Sequence, residues 1–295
     1  GEPTPMTGVR AIIADRMALK LADYVTTEAG FGADCGAEKF LDIKRRVGNL
    51  KPACVVLVAT VRALQLHGGA FEFKPGTKPP QEVFEDENVE AVIAGAPNMV
   101  KHIENCKTFG LPVVVAINRF PTDTDAEMAA VKQAALDAGA DAAMDSTVWA
   151  DGGAGGAALA EAVVASCEQP SDFQFLYPLD APIKKKIEAI CTEIYGADGV
   201  EYSAEASRKI RRFTKQGLGD LPICMAKTHL SLSHDPKLKG RPTGFVVPIE
   251  DIRPSVGAGF LYPLCGEIRT MPGLPTKPAA MDVDIDEDGN VVGLF

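Results

Sequence analysis

Two apolar runs with no polar alternation, ACVVLVA at 53–59 and PVVVAI at 112–117, constrain this chain more than any other feature. A strand that is apolar at every position has both faces covered, which is the pattern of a parallel sheet flanked by helices. Helical stretches separate and follow these runs: 38–46, 86–108, 125–138 and the alanine-rich 155–167. Strands alternating with helices predict an α/β fold with a mostly parallel sheet. Ahead of them, residues 11–23 place Ile12, Ile13, Met17 and Leu21 on roughly one helical face, and a short strand is expected at 24–26. Segment 71–81 (FEFKPGTKPPQ) reads as a surface loop.

Beyond about residue 170 the texture changes. Helices are expected at 180–195 and 203–216, and short strands at 221–226 (LPICMA) and 244–250 (GFVVPIE). The tail 281–295 reads as a hairpin with Asp288-Gly289 in its turn.

The formal charge of -10 and pI near 5.0 repel nucleic acid and anionic membranes over most of the surface. No apolar stretch is long enough to span a bilayer, and no basic segment precedes an apolar one as in a leader, so a cytoplasmic protein is expected. The chain opens Gly-Glu-Pro-Thr-Pro before Met6, which fits either a native start behind extra residues or a cleavage product. Seven scattered cysteines form no CxxC or Cys/His cluster, so free thiols and no metal site are expected.

Four segments carry candidate chemistry. TTEAGFGAD at 26–34 puts Gly30 and Gly32 around Phe31, after an expected strand and before a helix. That order aims backbone N–H groups at a ligand, with Phe31 as a stacking face; the alternative is a tight turn with a packed ring. VATVRALQLHGG at 58–69 brings Arg62 just past a strand end, able to meet a phosphate or carboxylate or to make a surface ion pair. Its His67 has no nearby nucleophile and reads equally as a satisfied structural histidine. VVVAINRFPTDT at 113–124 ends a strand in Asn118, with Phe120 and Pro121 in the turn. VWADGGAGG at 148–156 holds the chain's single tryptophan, Trp149, ahead of a glycine-rich turn, and a lone tryptophan is either core or ligand face. No GxxxxGK[ST], HExxH, GxSxG or GxGxxG occurs.

These same segments resemble the formate–tetrahydrofolate ligase (10-formyltetrahydrofolate synthetase) family. The matching stretches are IIADRMALKLADYVTTEAGFGADCGAEKF, VLVATVRALQLHGG, PVVVAINRFPTDT, TEIYGADGV and GAGFLYPLCGEIRTMPGLPTKPAAMDVDIDEDGNVVGLF, in family order from residue 12 onward. Two local departures are a longer loop at 71–85 and Arg119 in place of a small residue. The larger departure is that the family's N-terminal half, with its phosphate loop and a basic pair for formyl phosphate, has no counterpart here.

The resemblance implies a P-loop-NTPase-like three-layer fold, incomplete without that half, with a second α/β domain and a small C-terminal β-hairpin region. It implies that 1–110 belongs to a nucleotide and formyl-phosphate domain, 111–260 to a folate-binding domain and 261–295 to the small region. It implies ATP-dependent formylation of tetrahydrofolate at N10 through formyl phosphate, with substrates formate, ATP and tetrahydrofolate, Mg2+, and a monovalent cation (K+ or NH4+). Carried over by motif, Phe120, Pro121 and Trp149 hold the folate. Glu28, Phe31 and Gly32 are the expected catalytic residues: Phe31 and its flanking glycines line the formyl-phosphate and folate pocket, and Glu28 and Asp34 order the site. Thr27, Gly30, Arg62 and Asn118 face the nucleotide. An N-terminal ligase chain carrying the phosphate loop is the expected partner, in a homo- or hetero-oligomer, and this chain alone is expected to be inactive. A non-catalytic folate-binding or regulatory subunit descended from the ligase is the alternative.

Overall fold

The computed structural model describes residues 6–71, 82–266, 281, 283–286 and 291–292. The expected loop at 71–81 and the turn at Asp288-Gly289 therefore lie almost wholly outside the described residues.

The centre of the first half is a parallel sheet, in spatial order β1 (Val55–Ala59), β2 (Val113–Asn118) and β3 (Ala142–Ser146). Helices Val61–His67, Val89–Thr108, Asp125–Asp137 and Ala157–Cys167 connect and follow these strands. Val113, Val115 and Ile117 pack with Val92, Met99, Ile103, Met128 and Val131 in one core. The helix Ala157–Cys167 contacts β2 and β3. β2 is buried along nearly its whole length, as an uninterrupted apolar run predicts.

β1 departs from that expectation. It pairs only with β2 among the described residues, and its alternate residues Val56 and Val58 are 41% and 66% exposed. The apolar run predicts cover on both faces; here one face of the edge strand is open.

Helix starts follow local chemistry. Thr60 accepts from Ala63 N, Asn88 from Ala91 N and Ser203 from Ala206 N. Thr124 forms a complete capping box with Glu127. Glu127 also accepts from Gln65 Nε2 (2.8 Å) and Asn88 N (2.9 Å), tying three connections to one carboxylate.

The helix at 36–48 contains a π turn, Phe40–Lys44, a local widening frequent at functional sites. Its start requires glycine, because a Cβ on Gly36 would sit 1.8 Å from the Gly30 carbonyl oxygen.

The second core gathers Leu41, Ile187, Ile190, Ile194, Tyr195, Phe213, Met225 and Val247. Helix Ile183–Ala189 runs into a second π turn, Ile190–Ile194. Helix Ala204–Lys215 buries Ala206, Ile210 and Phe213 at the spacing of one helical face. Two small sheets complete this half: a parallel pair, Gly199–Tyr202 with Val246–Ile249, and an antiparallel pair, Asp251–Ser255 with Phe260–Leu264. The tail forms the expected antiparallel pairing, Asp284 with Val292 and Ile285 with Val291.

Three expectations need correction. No strand forms at 24–26, and the segment has no ladder partner among the described residues, so the turn at 26–34 does not follow a strand. Residues 221–226 make only isolated bridges, Ile223 with Leu261 and Ala226 with Leu264. The first helix is Met6–Ala18, so Leu21 lies beyond it, and Ile13, Met17 and Leu21 are exposed.

Candidate functional site

The C-terminal ends of the three parallel strands share one edge of the sheet, where the loops of open α/β sheets converge on ligands. Arg119 N donates to Ser146 O at 3.1 Å, so the loops after β2 and β3 lie side by side. The first carries Phe120 and Pro121; the second turns at once into the short helix Val148–Asp151, which carries Trp149. Trp149 is 86% exposed and Pro121 is also exposed. No core packing claims the tryptophan.

Phe120 is half-buried and held from below. Its backbone N–H donates to Asp123 Oδ2 at 2.8 Å, and Asp123 N returns a bond to Phe120 O at 3.0 Å. The Arg62 guanidinium lies 4.1 Å from the Phe120 ring centroid and 4.7 Å from that of Phe84, and donates to Thr122 Oγ1 at 3.3 Å. Arg62 therefore backs the aromatic loop with a cation–π contact. Asn118 closes β2 opposite Ser146.

Against β1 lies a cavity of about 1480 Å³. Its apolar lining includes Leu50, Val56, Val58, Leu159, Val163 and Val164. Its polar lining includes Thr60, His67, Asn98, Asp34, His229 and Ser231. Thr27, Glu28, Phe31 and Gly32 also line it, and Val148, next to Trp149, stands at its border. The cavity thus collects Thr27, Glu28, Phe31 and Gly32. Gly30, Arg62, Asn118, Phe120, Pro121 and Trp149 are outside its lining.

Phe31 is 81% exposed and adopts a left-handed backbone conformation (φ 59), uncommon for a non-glycine residue and concentrated at functional turns. Its ring lies 5.2 Å from that of His229. Below the turn, Asp34 is buried and pairs with Lys227 Nζ at 2.7 Å. That ammonium also donates to the carbonyls of Thr228 and Ser231, so the pair anchors the 227–233 loop beneath Phe31. A buried pair completed by further hydrogen bonds fixes geometry more than it adds stability.

His67 has a definite role. Gly240 N donates to His67 Nδ1 at 2.9 Å, and Gly240 O accepts from Asn98 Nδ2 at 2.8 Å. An accepting Nδ1 places the proton on Nε2. Burial, then Lys239 and His102, push its pKa down to about 4, so it is neutral at physiological pH. The Gly68 that follows is a packing residue: a Cβ there would meet Ala91 O at 1.9 Å. Burial also lowers the pKa of His102, with Lys227 adding to it and Asp34 opposing.

His229, Asn98, Lys227 and Ser231 were not singled out from the sequence. The signal available is the run KTHLSLSHD at 227–235, which places a lysine and two histidines around a short polar–apolar alternation.

A parallel sheet flanked by helices, with Phe120 and Trp149 near its C-terminal edge and a large cavity against β1, defines an α/β protein of the open-sheet class. The family model described as Formate--tetrahydrofolate ligase matches residues 6–295. The chain is 56% identical to a formate--tetrahydrofolate ligase of Desulforamulus reducens, over 98% of this chain and 51% of that protein. It is 55% identical to that of Roseiflexus sp., over 97% and 51%. It is 53% identical to the C-1-tetrahydrofolate synthase, cytoplasmic, of Schizosaccharomyces pombe, over 97% and 32%. The chain belongs to the formate–tetrahydrofolate ligase family, and it spans about half the length of the bacterial relatives it matches.

Proposed function

We propose that this chain supplies the folate-facing part of a formate–tetrahydrofolate ligase and acts with a separate phosphate-loop part of such an enzyme. In the proposed reaction ATP phosphorylates formate, and the N10 amine of tetrahydrofolate attacks the carbonyl carbon of formyl phosphate, expelling phosphate. The protein's share is positioning and charge neutralisation. The observation that carries the reading is the exposed Trp149, on the short helix that directly follows β3, at the strand edge whose neighbouring loop carries Phe120.

Phe120, Pro121 and Trp149 hold the flat pterin in this reading, each ring adding about 1 kcal/mol beyond burial. Phe31, Glu28 and Gly32 face the formyl group. Arg62, Asn118, Thr27 and Gly30 face the nucleotide side. His67, with its proton on Nε2, adds a neutral donor to the cavity lining.

The described residues do not fit Mg2+ and the ATP phosphates. The sequence holds no GxxxxGK[ST], and no group of three His, Cys, Asp or Glu among the described residues is arranged to hold a metal ion. We therefore assign both to the phosphate-loop part, together with activation by a monovalent cation. In the complete P-loop-NTPase-like three-layer assembly, 1–110 contributes mainly to nucleotide and formyl-phosphate binding and 111–260 mainly to folate binding, across one sheet and one core that both segments share, while 261–295 begins inside the strand Phe260–Leu264. The open edge and outer face of β1 fit a sheet continued by another element, and an unpaired apolar edge favours oligomers. No helix among the described residues is long and apolar enough to cross a membrane, and we place the assembly in the cytoplasm.

The test mixes this chain with the corresponding N-terminal half of the Desulforamulus reducens relative and assays formate-, ATP- and tetrahydrofolate-dependent formylation. The mixture forms product and the chain alone does not. Turnover by the chain alone overturns the division of labour, and folate binding with no activity in any mixture points to a binding subunit.

A further inference from the structure

Phe31 and His229 come from distant parts of the chain, yet both line the large cavity, with their rings 5.2 Å apart and tilted by 32°. Both residues are exposed. Neither ring nitrogen of His229 makes a hydrogen bond among the described residues. Their backbones, in contrast, are held. Cys35 N and Gly36 N both donate to Gly32 O at 2.9 Å, closing the turn that carries Phe31. Leu230 N donates to Thr228 Oγ1 at 3.2 Å and Ser233 N to Ser231 Oγ at 3.0 Å, so the loop that carries His229 is wound by its own hydroxyls. The buried Asp34–Lys227 pair then joins the two segments, just after Phe31 and just before His229. A fixed backbone that presents two unpacked rings to a cavity is preorganised for stacking on a flat ligand.

We propose that His229 is a further substrate-contacting residue, and that it and Phe31 form a stacking site for the aryl ring of tetrahydrofolate to which N10 is bonded. The inference rests on the reading above, in which Phe31 faces the formyl group. Formyl transfer brings the carbonyl carbon into contact with N10, and N10 is bonded directly to the aryl ring. A side chain beside the formyl carbon is therefore beside that ring as well. The cavity fits this placement, because it is bordered both by the ring pair and by Val148, next to Trp149. Phe120 and Trp149 hold the pterin end of the substrate, and Phe31 and His229 hold the aryl end. N10 lies between the two anchored rings, which restricts its rotation and orients the attacking amine.

The test compares two ligands by anaerobic calorimetry: tetrahydrofolate, and 6-methyltetrahydropterin, which lacks the aryl group. His229→Ala and Phe31→Leu are each expected to weaken tetrahydrofolate binding about fivefold or more and to leave pterin binding unchanged. Trp149→Ala weakens both. His229 and Phe31 are exposed, so thermal melts of their variants coincide with that of the parent. The chain has four histidines, so the His229 Cε1–H resonance is assigned by its absence in His229→Ala, and it moves when tetrahydrofolate is added to the parent. An unchanged tetrahydrofolate affinity in His229→Ala, or an equal loss for both ligands, overturns the aryl site while leaving the pterin reading in place. A Trp149→Ala chain that binds both ligands as the parent does overturns the pterin reading itself, and the aryl site with it.

Discussion

The backbone N–H of Gly240 donates to Nδ1 of His67 across 173 residues of sequence, at 2.9 Å. This contact fixes the imidazole tautomer and ties the loop before residue 245 to the helix that follows β1. A protonated His67 has no lone pair for it, so the tie holds only while the ring is neutral.

The pH dependence follows. His67 is depressed to about 4, against an ordinary 6.5 in the unfolded chain. Between these values the unfolded state binds more protons than the folded one. Stability from this group is therefore complete above pH 6.5 and is lost as pH falls toward 4, by at most about 3 kcal/mol. Urea melts of the parent and a His67→Gln chain at both ends of that window check it: the parent loses more on acidification than the variant.

The buried carboxyl pair in the helix at 36–48 has the opposite sign. Burial, then Asp42, push the Glu38 pKa well above the carboxylate range. Asp42 is raised to about 6, mainly by burial, with Arg46 opposing. Both Glu38 oxygens are buried without a hydrogen-bond partner. A raised carboxyl contributes stability below its unfolded value and loses it as pH rises through its folded one. Glu38→Gln, which keeps the shape and removes the ionisation, is expected to leave stability unchanged or raise it by about 1–2 kcal/mol at pH 8. Glu38→Ala lowers it. Thermal melts at pH 8 separate the two.

Lys186 is fully buried, and its ammonium donates to the carbonyls of Leu179, Gly219 and Leu221 at 2.9, 2.6 and 2.8 Å. Lys186→Met leaves three acceptors facing each other without a donor. The expected loss is about 3 kcal/mol or more of unfolding free energy, read by denaturant titration.

Much of the fold was legible because local chemistry and tertiary need coincide. β2 is apolar throughout and buried, and Thr124 and Glu127 spell the cap of the next helix. β1 shows the limit: ACVVLVA reads as covered on both sides, yet Val56 and Val58 stand open, because coverage is a property of neighbours rather than of the strand. The antiparallel pair Asp251–Ser255 with Phe260–Leu264 was missed in the sequence reading because it contains Pro254 and Pro263. Proline marks a strand break unless its missing N–H falls where no ladder bond is needed. Tyr24, Val25 and Thr26 have strand-forming side chains but no partner strand beside them. In the site, Phe31 and Trp149 stand out in sequence as rings beside glycine-rich turns, but packed and exposed placements are both open there; their 81% and 86% exposure comes from the fold. His229, Lys227 and Asn98 were not, since each gains its role from a contact that short sequence windows do not contain.

Removing either proposed pterin contact is expected to weaken folate binding by about 1–3 kcal/mol. Trp149→Ala leaves stability intact, since the ring is exposed. Phe120→Ala also releases the Arg62 guanidinium from its ring and lowers stability by about 1 kcal/mol. Calorimetric titration with tetrahydrofolate, alongside thermal melts, reads both effects.

Trp149 is the only tryptophan in the chain, so its fluorescence reports on the proposed folate slot without labelling. Titration with tetrahydrofolate under anaerobic conditions is expected to quench its emission to saturation, with the midpoint shifted about tenfold or more toward weaker binding in Phe120→Ala. Calorimetrically detected folate binding that leaves the Trp149 emission unchanged, or a midpoint indifferent to Phe120→Ala, contradicts the placement of the pterin between these two loops.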